Sequence, residues 1–290
     1  MSNTAMDTVA GERAGKLDKL RARRLRPGIV LAMVMIAFIV LCAIAPQWLT
    51  PYDPYAPDLL SSLKGPSAAH LFGTDQLGRD IYTRVVYGAG YSIYIAVGAT
   101  LIAVGVGITV GLLSGAVGGV VDLALMRVID ILLAFPSLLM AMAVVAFLGT
   151  DITTVLIAIA VAMVPGYARI VRAQVMVIRN SGYVEAARVL GQKPLKTVWR
   201  HILPNTISPL VVLATLGTGN AILQSAALSY LGLGPRPPTP EWGLMLAEGQ
   251  RYLRAAWWVG VFPGLIATLT IISTTVLGRH LKALSDGRVS

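Results

Sequence analysis

The sequence predicts an all-α, polytopic membrane protein with six transmembrane helices. Three observations carry that reading. Apolar runs long enough to approach or cross the ~30 Å hydrocarbon core of a bilayer recur along the chain. The residues are 56% hydrophobic and only 13% charged, with a mean hydropathy of +0.71, whereas a soluble domain carries about 25% charge. The basic residues gather between the apolar runs, mostly on one side, as membrane topology requires. That clustering accounts for the formal net charge of +10, so the expected partner surface is lipid and not nucleic acid.

Residues 1–28 form a polar N-terminal tail containing Arg13, Lys16, Lys19, Arg21, Arg23, Arg24 and Arg26, and residues 29–290 form the membrane domain. The first span covers about residues 29–49. Its basic start and Ala43-Ile44-Ala45 imitate a signal peptide. The run exceeds the usual h-region of about 7–15 residues and more spans follow, so it reads as a retained helix. Cys42, the single cysteine, falls inside this run and reads as a small packing residue.

A long polar segment follows over residues 50–90. Pro51, Pro54, Pro57 and Pro66 keep its first part extended. Then comes His70-Leu71-Phe72-Gly73-Thr74-Asp75-Gln76-Leu77-Gly78-Arg79-Asp80. Gly73 and Gly78 permit tight turns, and Asp75 or Asp80 suits the N-cap of a helix beginning near Ile81. Capping and partner contact are both open as explanations of this stretch.

The second span, about 92–114, carries Gly107 and Gly111, and Gly115 follows at the same spacing of four. Small residues so spaced let helix backbones approach closely in lipid. In the third span, about 126–149, Arg127 and Asp130 stand three apart and are expected to pair, with Asp122 just before them. Pro136 is expected to kink the helix. A turn at Thr150-Asp151 leads into the fourth span, about 152–170, where Pro165-Gly166 reads as a break. The fifth and sixth spans are about 207–231 and 257–278. Between them, Trp242 to Arg254 reads as a short interfacial helix, with Trp242, Trp257 and Trp258 at headgroup depth.

Six spans put both termini on one side. That side, with the segment 171–206 and the tail residues Arg279, Lys282 and Arg288, holds 18 of the 24 Lys and Arg. The positive-inside rule therefore places the termini and the 171–206 segment in the cytoplasm.

The most informative stretch is Gly182 to Pro209, GYVEAARVLGQKPLKTVWRHILPNTISP. Tyr183 to Leu190 reads as a short helix ended by Gly191. Pro194 suits the first turn of a second helix. On it Leu195, Val198, Trp199 and Ile202 form one apolar face, and Pro204 reads as its stop. A basic loop that only fixes topology is the plain alternative.

Glu185-Ala186-Ala187, then Gly191, then Ile202-Leu203-Pro204 resemble the EAA coupling loop of ATP-binding-cassette importer permeases. The general pattern has Ile two residues before the Leu-Pro pair; here His201 stands there, in a His-Ile-Leu-Pro-Asn form that looks like the peptide-permease branch. Gly73, Thr74, Asp75, Leu77, Gly78, Arg79 and Asp80 resemble the GTD-x-LGRD signature after the first span of DppC/OppC-like subunits in the peptide/nickel permease family. The resemblance covers nearly the whole chain after residue 28. It implies the type I ABC importer transmembrane-domain fold in a bacterial cytoplasmic (inner) membrane. It implies a heterodimer with a DppB/OppB-like permease, two ABC ATPase subunits that bind ATP and Mg, and an extracytoplasmic substrate-binding protein. The mechanism implied is alternating access, with dipeptides or oligopeptides as substrate and nickel complexes or glutathione as alternatives.

The chain itself reads as no enzyme. It has no Walker A phosphate cradle, no H-E-x-x-H and no G-x-S-x-G. Three His and one Cys leave no metal or other cofactor site to expect. No mid-span carboxylate is present to suggest a proton relay. An ion-driven secondary carrier and a structural or signalling membrane protein are the rivals. Neither predicts an ATPase partner.

Overall fold

The computed structural model describes residues 27–285. The expected tail of residues 1–28 lies outside them apart from its last two residues, as does Arg288. Among the described residues the long elements are α1 (Pro27–Ile44), α2 (Ile81–Val117), α3 (Gly119–Leu133), α4 (Ser137–Leu148) and α5 (Ile152–Arg179). They continue with α6 (Gly182–Val189), α7 (Pro194–Thr197), α8 (Leu203–Tyr230), α9 (Trp242–Gly249) and α10 (Trp258–Ser285). The one β feature among them is an isolated bridge between Thr74 and Asp80. Five helices are long and apolar enough to cross a membrane, and α3 with α4 makes a sixth where the bent pair is taken as one span. Five of the expected spans thus correspond to single helices, and the third is split between α3 and α4.

Helix α2 has 37 residues, about 55 Å at 1.5 Å per residue. It extends the expected span 92–114 at both ends. Its N-terminus is set by Asp80, whose carboxylate accepts the Thr83 N–H at 2.7 Å. Its C-terminal half packs against α5 through the glycine series. A Cβ at Gly107 would lie 2.5 Å from Tyr167 Cβ, and one at Gly111 2.6 Å from the Ala168 carbonyl oxygen. Close backbone approach is thus the reason for these glycines. The central core is largely this seam, with Ala96, Ala99 and Ala103 beside Ala158, Ile159 and Ala162.

Helix α5 runs through Pro165 unbroken to Arg179, against the expected break. One lost N–H bond is tolerated where neighbouring helices hold the segment, and Pro165 sits among buried Ala162, Met163, Tyr167 and Ala168. The third span differs in the other direction. Instead of a kink, α3 and α4 meet at 91° across Ala134-Phe135-Pro136. The expected pair of Arg127 with Asp130 is replaced by two pairs across to α5. Arg169 binds Asp130 and Arg172 binds Asp122, because α5 presents its guanidiniums to the acidic edge of α3.

Pro204 does not end a helix. Helix α7 passes through a π turn, Val198–Ile202, straight into α8. The Leu203 N–H reaches back five residues to the Val198 carbonyl, and Pro204, with no N–H to place, follows in the first turn of α8. The expected loop 171–206 is therefore mostly helical. Helix α8 also contains Pro209.

Trp242 faces protein and not lipid or water. It is buried, and its indole N–H donates to the Val85 carbonyl at 2.9 Å. Helix α9 packs against α2, α8 and α10. The segment 45–80 folds over the start of α10. Phe72 stacks on Phe262 at 4.2 Å, and the Trp258 indole donates to the Thr74 carbonyl at 3.2 Å.

Candidate functional site

The candidate site has two parts at opposite ends of the helices. At one end, α5 stops at Asn180 and the chain turns into α6. Val184 and Ala187 face inward. Val184 joins Val171, Val175, Ile178, Ile202 and Leu210 in a small apolar cluster. The opposite side of α6 carries Glu185, Ala186 and Arg188, all exposed. At its tip Val189 and Leu190 are 83% and 86% exposed.

Gly191 turns the chain with φ +79°. Its N–H donates to the Arg188 carbonyl at 2.9 Å, and the Gln192 N–H to the Ala187 carbonyl at 3.0 Å. These bonds satisfy carbonyls that the end of α6 would otherwise leave free. Nothing lies within 4 Å of a Cβ built at Gly191, so the constraint there is backbone conformation and not space. The expected helix–glycine–helix elbow is present.

The second helix's apolar face divides. Val198 and Ile202 pack into the inner cluster, while Leu195 and Trp199 are 70% and 61% exposed. Ile202, Leu203 and Pro204 fall where the π turn meets α8, and Ile202 alone of the three is buried. His201 braces the elbow. Its Nε2 lies 3.3 Å from Gln192 Oε1, and its ring centre 6.2 Å from that of Tyr183. Glu185 has no ion-pair partner among the described residues.

At the opposite end the signature residues form a fastener. Asp75 Oδ1 accepts the N–H groups of Leu77 at 2.8 Å and Arg79 at 3.0 Å, and Oδ2 accepts Arg79 Nε at 2.7 Å. Asp80 caps α2 and also takes His70 Nδ1 at 3.0 Å. The Thr74 hydroxyl accepts the Lys64 N–H at 2.8 Å and donates to the Ser61 carbonyl. Gly78, at φ +74°, would put a Cβ 1.7 Å from the Asp58 carbonyl oxygen. Gly73, at φ +75°, would put a Cβ 2.7 Å from both the Lys64 carbonyl oxygen and Trp258. Thr74, Asp75, Arg79 and Asp80 are all buried, while Leu77 is exposed. Capping and internal fastening therefore account for the polar members of the signature.

Sequence reasoning did not single out three further residues. Arg84 is buried between Asp75, 3.6 Å away, and Glu248, 3.8 Å away. Burial raises the Glu248 carboxyl above its ordinary value despite Arg84 beside it. Glu241 is buried as the N-cap of α9, accepting from the Leu244 N–H at 2.8 Å and from the hydroxyls of Ser92, Ser225 and Ser229. A Glu directly ahead of an apolar helical run was the available signal for that cap. No comparable local signal exists for Arg84, whose partners are nine and 164 positions away. Among the described residues no group of three or more His, Cys, Asp or Glu is placed to hold a metal ion.

Residues 107–290 match the family described as "Binding-protein-dependent transport system inner membrane component". Residues 21–66 match "N-terminal TM domain of oligopeptide transport permease C". The dipeptide transport system permease protein DppC of Alkalihalophilus pseudofirmus is 40% identical over 90% of this chain and 86% of that protein. The di/tripeptide transport system permease protein DppC of Pseudomonas aeruginosa is 41% identical over 90% and 88%. The glutathione transport system permease protein GsiD of Escherichia coli is 42% identical over 93% and 89%. Among solved structures, an inward-facing MetNI methionine ABC transporter chain aligns with a TM-score of 0.57 and 18% identity, covering 69% of this chain and 96% of that one.

Proposed function

Since the chain belongs to the family of binding-protein-dependent transport system inner membrane components, we propose that it moves short peptides as the DppC/OppC-like half of an ABC importer. Its place is the bacterial inner membrane, with both termini cytoplasmic. Its partners are a DppB/OppB-like permease, two ABC ATPase subunits that bind ATP and Mg, and an extracytoplasmic binding protein. The peptide substrate is supported by the relatives named for dipeptides and di/tripeptides.

The observation that carries the coupling role is the elbow. Val189 and Leu190 are large apolar side chains left almost fully exposed at a turn of defined angle. An apolar tip beside Glu185 suits a groove on a protein partner better than water. ATP-driven closure of the ATPase pair would draw the elbows of both permeases together and so bias the spans between inward and outward arrangements. The polar outer fastener keeps its groups internal, which suits a support for the outer face and not an ATPase contact.

The test is reconstitution with candidate partners. Co-purification of the ATPase subunits, and dipeptide uptake that requires ATP and the binding protein, is the expected outcome. Leu190→Asp should abolish ATPase association while leaving the permease pair intact. Uptake driven by an ion gradient without ATPase subunits would replace this reading with that of a secondary carrier. Glutathione is the second substrate, because the relative named for it is as similar as those named for dipeptides.

A further inference from the structure

A cavity of about 290 Å³ opens beside α4, α5 and α8. Its walls come from the middle of α5, Ala162 to Ile170, from the middle of α8, Leu213 to Gln224, and from Leu133 and Ser137 on either side of the α3–α4 break. The cavity therefore lies near the middle of three spans. Non-helical backbone at membrane depth is tolerated only where protein buries it or a wet cavity adjoins it, and this break adjoins one.

Its polar groups are uncharged. Gln224 is 7% exposed, and its side-chain oxygen has no hydrogen-bond partner. Asn220, four residues earlier on the same helix face, is exposed to the cavity. Ser137 begins α4, and no side chain caps that helix's first N–H groups. Tyr167, by contrast, is already satisfied, since its hydroxyl donates to the Leu213 carbonyl at 3.2 Å. No Lys, Arg, Asp, Glu or His lines the space.

A buried carboxamide with an unmet oxygen is costly unless something fills the site. A carboxamide offers both a donor and an acceptor, the complement of a peptide bond's C=O and N–H. Walls that meet the main chain, and carry no charge, treat peptides of different side chains alike. The volume falls just below the range for small-molecule sites, about 300–1,000 Å³, and suits a short stretch of main chain. We propose that this cavity is a transit site for the main chain of the transported peptide, in which Gln224 and Asn220 hydrogen-bond its amide groups. The inference rests on the chain being a peptide permease.

The test uses the intact complex in lipid vesicles with its binding protein, taking up a dipeptide and the same dipeptide N-methylated at its amide. In Gln224→Leu the complex should assemble with its partner subunits as the wild type does. Dipeptide uptake should fall about tenfold, and the preference over the N-methyl form should be lost. Asn220→Ala, on the exposed rim, should shift both in the same direction by less, and it reports even if Gln224→Leu fails to fold. The binding protein is unchanged throughout, so a change in preference belongs to the permease. Wild-type uptake and preference in both variants overturn the proposal. So does loss of the partner permease from Gln224→Leu with normal transport by Asn220→Ala, which would make the amide a subunit contact. A wild-type complex that imports no peptide refutes the peptide reading itself, before either variant is considered.

Discussion

Arg172 holds Asp122 by two parallel hydrogen bonds, Nε to Oδ1 at 2.5 Å and Nη2 to Oδ2 at 2.7 Å. The Ser114 hydroxyl donates to the same carboxylate. The trio ties α2, α3 and α5 together next to the elbow. Asp122→Asn is expected to lower stability in detergent by about 1–2 kcal/mol, since bidentate pairs are strong but these side chains are 20–30% exposed and partly screened. A double-mutant cycle with Arg172→Gln, read by thermal unfolding, checks it. Additive losses would mean that the pair contributes nothing.

Gly191→Val and Gly191→Ala should both damage the elbow, because any side chain at φ +79° is strained. The cost is about 1–2 kcal/mol for Ala and more for the β-branched Val. Gly191→Asn should be tolerated better, as Asn visits this conformation. Substrate-stimulated ATP hydrolysis in reconstituted complexes should rank wild type, Asn, Ala, Val. Equal coupling in all four would detach the turn from the coupling role.

Asp75→Asn removes the carboxylate facing two buried guanidiniums, Arg79 and Arg84. Leaving buried charges uncompensated costs on the order of 3–5 kcal/mol. The variant should show proteolysis within residues 50–80 at concentrations that spare the wild type. An undamaged segment would show that Glu248 suffices for Arg84.

Glu248 gives a pH dependence of known sign. Its carboxyl binds protons more tightly folded than unfolded, chiefly because burial disfavours the charge. Stability from this group therefore falls as pH rises from the ordinary glutamate value through the raised one. Glu248→Gln should be neutral near pH 4 and stabilising near about pH 8. Thermal unfolding at both pH values reads the difference. A variant less stable at the higher pH would mean that the Arg84 contact outweighs desolvation.

Orientation is testable by labelling. In a Cys42→Ala background, a cysteine at Ser62 should react with an impermeant thiol reagent applied outside cells, and one at exposed Arg188 should not. The reverse pattern would invert the topology.

The spans were legible because each is a long apolar run, and the close seam because its glycines repeat every four residues along one face. The elbow was legible because Gly191 and Pro194 act through their own backbones. What escaped the sequence depends on residues distant along the chain. Pro165 and Pro204 read as breaks, but tertiary packing holds one and a π turn absorbs the other. Asp122 and Asp130 have an arginine near in sequence, Arg127, yet their partners stand on α5. Trp242 looks interfacial by type, and only the folding of α9 against α2 buries it. The signature from Gly73 to Asp80 suits a cap and a contact surface equally by sequence, and nothing local reveals that Arg84 and Glu248 close around it.

The π turn at Val198–Ile202 has a mechanical consequence. It makes the chain helical without interruption from Pro194 to Tyr230, a rod of about 55 Å at 1.5 Å per residue. One end is the exposed elbow. At the other, the Tyr230 hydroxyl accepts a hydrogen bond from Gln250 at 2.6 Å, next to α9. The joint between the elbow and the fifth span is a wound turn, not a loop. A displacement of the elbow would therefore be carried along α8, past the wall that carries Asn220 and Gln224, to Tyr230.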